Sequence, residues 1–177
     1  MSGAAQDPHE SGRWTLGVRV IANQIPRARW RSTLTYRFHP RFTAGVEYNP
    51  LAGKVSPIAN LLALTETERR PALILGTSSD RIGTPDGQSF YATFSKSLKR
   101  ETGLPIAPYA GLAYGTHEDH LRPVGGLNID LGRGFSSTLV FDGVRVHPLL
   151  NYTRSRHVFS LIMERGRNPG MSYSITF

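Results

Sequence analysis

Alternation with a period of two dominates the stretch from Ala28 to Tyr48 and restricts what this chain can fold into. Even positions carry Ala28, Trp30, Ser32, Leu34, Tyr36, Phe38, then Phe42, Ala44, Val46 and Tyr48. Odd positions carry Arg29, Arg31, Thr33, Thr35, Arg37, then Thr43, Gly45, Glu47 and Asn49. Successive side chains of a strand point to opposite faces, so one face is apolar and aromatic and the other polar and charged. His39-Pro40-Arg41 lies between the halves as a tight turn, and the whole stretch reads as a β-hairpin.

The same pattern recurs along the chain. A first strand at roughly 13–22 sets Trp14, Leu16, Val18, Val20 and Ala22 against Arg13, Thr15, Gly17 and Arg19. Further strands are expected near 55–64, 71–78, 88–98, 105–115, 121–131, 134–142, 144–153, 156–164 and 169–177, which makes twelve. The segments 55–64 and 71–78 alternate poorly. No repeat of 20–50 residues, linker or low-complexity block interrupts the series. Residues 1–12 are expected to form a disordered tail, and residues 13–177 one domain.

The connections alternate in length. Those around Pro40, at Gly132-Arg133-Gly134 and at Thr153-Arg154-Ser155 are short, whereas Asn49 to Ser56, Ser79 to Gly87 and Gly115 to His120 are longer. Short periplasmic turns opposite longer external loops are the habit of outer-membrane barrels. The connections near 65–70 and 99–104 are longer than that scheme asks, and Asp142-Gly143 is tighter.

Composition narrows the classes. Only 39% of the residues are apolar, which suits strands with one polar face, and 18 glycines and 12 prolines supply turns. Without cysteine there is neither disulfide nor zinc–thiolate chemistry. No run of 18 apolar residues could form a transmembrane helix. The opening MSGAAQDPHESG lacks the apolar core of a signal peptide. An outer-membrane protein needs that leader, so the sequence is expected to be a mature form or to begin from a start set too late.

With strand directions assigned, the aromatics of the apolar faces fall into two bands. Trp14, Phe38, Phe42, Phe135, Tyr152, Phe159 and Phe177 gather at the periplasmic end; Trp30, Tyr48, Phe90, Tyr114 and Phe141 gather at the external end. Aromatic girdles at both interfaces mark a lipid-facing barrel wall. A soluble two-sheet protein would instead collect large aromatics in mid-strand. Unpaired strand edges are untenable in hydrocarbon, so the first and last strands must pair. The fold expected is all-β: a closed antiparallel up-and-down transmembrane barrel of about twelve strands, with lipid as its partner and the bacterial outer membrane as its location.

The last strand, Ser172-Tyr173-Ser174-Ile175-Thr176-Phe177, alternates and closes on phenylalanine. In this it resembles the terminal strand of bacterial outer-membrane barrels. The resemblance implies recognition by the barrel-assembly machinery through Tyr173, Ile175 and Phe177. From Pro71 to Phe177, PALILGTSSDRIGTPDGQSFYATFSKSL, PYAGLAYG and GMSYSITF resemble barrel proteins encoded alongside exopolysaccharide genes. That resemblance implies a barrel fold and an accessory role in polysaccharide export.

On the polar face, Arg19, Arg29, Arg31, Arg37, Arg122 and Arg145 share the inward parity, against Glu47, Asp130, Asp142 and Glu164. Two readings stay open: a narrow pore with positive potential that favours anions, or a lumen plugged by salt bridges. Formal charge is +8, which invites nucleic acid. Stacking platforms, however, need arginine and aromatics on one face, and here they alternate to opposite faces, so no nucleic-acid partner is expected. Nor is catalysis: His157 and Ser160, three apart on a strand, point to opposite faces, and no dyad forms within one strand. His117-Glu118-Asp119-His120 reads as a solvated charged loop, and Thr84-Pro85-Asp86-Gly87 as a turn. No metal or cofactor is expected.

Overall fold

The computed structural model describes residues 12–177. Except for Gly12, the expected N-terminal tail lies outside these residues. Twelve strands follow in order: β1 (Trp14–Ile21), β2 (Trp30–His39), β3 (Phe42–Asn49), β4 (Lys54–Leu64), β5 (Ala72–Ser79), β6 (Gln88–Ser95), β7 (Ile106–Gly115), β8 (His120–Gly132), β9 (Phe135–Phe141), β10 (Val146–Arg154), β11 (His157–Glu164) and β12 (Asn168–Thr176). Each pairs antiparallel with the next, and β1 pairs with β12, so the sheet closes as a barrel. Leu16 lies opposite Ile175 and Arg19 opposite Ser172 across the closing seam. There the Phe177 amide donates to Trp14 O at 2.9 Å, and the Trp14 amide donates to Phe177 O at 2.9 Å.

One end of the barrel, the turn end, carries the connections after β2, β8 and β10, which are two residues each. In the β8–β9 turn Arg133 and Gly134 adopt φ of 54° and 83°. Positive φ at both central residues matches a two-residue connection to the twist of its strands. The 65–71 and 96–105 connections also lie here, the latter holding a short helix at Lys99–Thr102. The opposite loop end carries residues 22–29, 50–53, 80–87, 116–119, 142–145 and 165–167.

The β2 strand begins later than the alternation suggests. Pro26–Arg29 form a single helical turn, α1. Proline suits the first helical position because its φ is preset and it has no amide to leave unpaired. The Ala28 and Arg29 amides then donate to Ile25 O at 3.0 Å. The poorly alternating β4 carries a register shift between Leu62 and Leu64, and such a bulge moves the following side chain to the other face.

The polarity of the interior is reversed relative to a water-soluble core. Among the described residues, six apolar side chains are buried against thirteen polar or charged ones, and Glu47 and Glu164 are 0% exposed. Leu16, Leu34, Val46, Leu61, Leu75, Leu112, Leu139, Leu150 and Leu161 are exposed on the outer wall. Two tyrosines fill the lumen beside β5–β8. A Cβ at Gly76 would lie 2.4 Å from the Tyr91 ring, and one at Gly126 would lie 2.6 Å from the Tyr109 hydroxyl. Glycine at these two positions is therefore what admits the rings. The Tyr91 hydroxyl crosses to donate to Asn60 Oδ1 at 2.5 Å.

Candidate functional site

The polar side chains concentrate at the loop end, where they close the mouth. The connection after β1 turns inward through α1, and Arg27 reaches from it to the connection after β5. Its Nε donates to Thr84 O at 2.6 Å; its Nη2 donates to Arg81 O at 2.7 Å, Asp80 O at 3.1 Å and Thr84 Oγ1 at 2.7 Å. Arg27 is 5% exposed and Thr84 2%. Burial depresses the Arg27 pKa, opposed by the nearby charges of Glu47 and Asp80.

Beneath this bridge lies a charge cluster on the strands. Arg19 on β1 sits directly opposite Arg31 on β2. Arg31 pairs with Glu47 at 2.5 Å, and Asn49 donates to the other carboxylate oxygen of Glu47 at 3.1 Å. On the far side Glu164 accepts from Gln24 at 2.9 Å and Asn168 at 2.6 Å, and pairs with Arg165 at 2.8 Å. These contacts offset the cost of removing the two carboxylates from water; Glu47 Oε2 and Glu164 Oε1 are held by ion pairs alone, with no hydrogen bond.

The outer loops form a third network. Glu118 pairs with Arg81 and with Arg122, the latter at 2.9 Å. The Arg81 guanidinium and then that of Arg122 outweigh partial desolvation and hold the Glu118 carboxyl at about 2. Asp142 accepts from the Val144 and Arg145 amides and pairs with His147 at 2.9 Å. Burial would raise the Asp142 pKa, but these contacts keep it below the usual range. Between Asp80, Arg81, Glu118, His120, Arg122 and Asp142 is a cavity of about 20 Å³, room for one water-sized group.

The inward residues named from sequence separate into distinct places. Arg19, Arg31 and Glu47 come together in the lumen. Arg122 and Arg145 belong to the loop end. Arg37 sits at the turn end, donating to Gly12 O at 2.6 Å. One reading needs correction. Arg29 lies on α1, exposed, with its Nε donating to Gln24 O at 3.2 Å; the helical turn at Pro26 takes it off the lumen wall. Asp130 keeps the inward parity, opposite Ser136, but lies exposed at the turn end, where it accepts the Gly132 amide at 2.8 Å. Arg27, Gln24, Asp80 and Thr84 lie in loops, where parity gives no signal, whereas His147 sits on β10 and is buried. Pro26 is the local signal that β2 starts late.

The girdle residues Trp14, Trp30, Phe38, Phe42, Tyr48, Tyr114, Phe135 and Phe177 are exposed on the outer face, and Phe141 and Tyr152 are half-buried there. At the turn end the rings of Trp14, Tyr36, Phe38 and Phe42 follow one another with centroids 4.8–5.8 Å apart. Phe135 stacks near Tyr152 at 4.7 Å, and Phe159 near Tyr173 at 4.9 Å. From Trp30 to Phe38, β2 rises about 27 Å along its length. At a tilt of about 40° that is about 21 Å along the barrel axis, close to the height of a lipid-facing band.

His157 faces outward, its Nδ1 2.8 Å from the Tyr173 hydroxyl, while Ser160 faces inward opposite Ser172. The His117–His120 loop directs its side chains apart: His117 to Asp86 at 2.5 Å, Glu118 to Arg81 and Arg122, Asp119 to Tyr114. No protein-family model matches the chain, and no curated protein is similar to it at a significant level.

Proposed function

We propose that this protein is an integral outer-membrane β-barrel whose external mouth is closed by its own first loop. The observation that carries the reading is the inverted polarity: charged side chains are buried inside while leucines and aromatics cover the outside of a closed sheet. A soluble monomer rarely exposes contiguous apolar surface beyond a few hundred Å², and lipid is the solvent that such a wall fits. The turn end would face the periplasm, and β12, with Tyr173 and Ile175 on its outer face and Phe177 directly after it, would be the strand that the assembly machinery reads.

Under this reading the resting barrel is a structural membrane component that does not conduct. A second state is favoured by Arg19 and Arg31: with the plug displaced, the lumen would pass small anions in preference to cations. Folding into detergent micelles tests the membrane assignment. β-type circular dichroism with a heat-dependent gel shift is expected; a protein that stays monomeric and folded in plain buffer would refute it.

A further inference from the structure

Three arginines from three different loops converge on Gly83. A Cβ at this glycine would lie 3.5 Å from Nη2 of Arg165, 3.7 Å from Nη1 of Arg145 and 3.8 Å from Nη1 of Arg81. Each nitrogen is therefore within about 7.5 Å of the other two, a range in which like charges repel. Arg81 holds Glu118 through Nε and Nη2 and Arg165 holds Glu164 through Nε, and each turns a further nitrogen, Arg81 Nη1 and Arg165 Nη2, to the common point. Arg145 has no ion pair among the described residues, and its Nη1 is buried without a hydrogen-bond partner. Gly83, at φ 102°, leaves the space between them empty of side chain.

The loops that carry these arginines are braced from below. His147, 3% exposed, pairs through Nε2 with Asp142 at 2.9 Å, and its Nδ1 accepts the Arg165 amide at 3.4 Å. Asp142 in turn binds the Arg145 amide at 2.8 Å. One imidazole thus ties the Arg145 loop to the Arg165 loop.

We propose that Arg81, Arg145 and Arg165 form an oxyanion cradle at the loop end that takes a phosphate-type group. Guanidinium forks suit such groups because they offer several charge-assisted donors at fixed angles. His147 is a positioning residue. The cradle stands on loop geometry and is independent of whether the barrel resides in a membrane.

The test uses the full chain, folded in a zwitterionic detergent and checked by its gel shift, so a failure of the barrel reading is seen before any titration. Inorganic phosphate is titrated by calorimetry, and phosphatidic acid is presented separately in phosphatidylcholine bicelles. Saturable binding of either probe is expected, at least tenfold weaker in Arg145→Gln and in Arg165→Gln. Arg145→Lys should retain part of it, and Arg29→Gln, outside the cradle, should change nothing. Binding of free phosphate would assign a soluble anion, and binding of the lipid alone a headgroup. Absence of binding by both probes, or affinity unchanged in Arg145→Gln and Arg165→Gln, would overturn the proposal.

Discussion

Arg27 and Thr84, 57 residues apart, are joined by two hydrogen bonds from one guanidinium, to the Thr84 carbonyl at 2.6 Å and its hydroxyl at 2.7 Å. With the carbonyls of Asp80 and Arg81 also bound, this single side chain latches the first loop across the mouth. Arg27→Ala strands those acceptors and should cost about 2–3 kcal/mol. In planar bilayers it should convert a silent barrel into a conducting one with an anion-selective reversal potential, and adding Arg31→Ser should weaken that selectivity. Silence in both proteins would mean that the lumen is blocked below the latch.

The facing of β2 can be tested by charge insertion. Leu34 is exposed on the outer wall, while Thr35 points into the lumen opposite Gly45. Leu34→Arg should destabilise by about 2–4 kcal/mol in a lipid-vesicle unfolding titration, and Thr35→Arg by far less. Equal losses would reject the assigned faces.

The fit of Tyr91 over Gly76 makes the two positions interdependent. Gly76→Val drives a branched side chain into the ring and should cost about 1–3 kcal/mol. In the background Tyr91→Ala the same change should cost less, because the space is then vacant. A double-mutant cycle by thermal unfolding reads the coupling directly.

Acid should loosen the loop network. Glu118 titrates at about 2 when folded, against 4.5 for the free group. A depressed carboxylate stabilises fully above its unfolded pKa and loses that contribution as pH falls toward the folded value. Protection factors of residues 80–87 and 116–119, that is, exchange corrected for its intrinsic pH dependence, should therefore be constant above about pH 4.5 and fall below it. Glu118→Gln should remove most of this dependence; an unchanged profile would exclude the Arg81–Glu118–Arg122 network as its source.

Alternation along the chain determined the strand number and the faces of this barrel. These properties are local: parity is fixed by the backbone pleat and repeats every two residues. It could place Arg19, Arg31 and Glu47 inside, because a strand residue's side is decided by its neighbours in sequence. It misassigned Arg29, which sits where the strand gives way to a helical turn. The latch at Arg27 and the convergence of Arg81, Arg145 and Arg165 had no such signal. Loop side chains follow no period, and their partners are distant, as with Gln24 and Glu164, 140 residues apart. Only the closed sheet brings those loops over one mouth, where buried charge must find a partner, so the tertiary structure alone decided how the barrel is sealed.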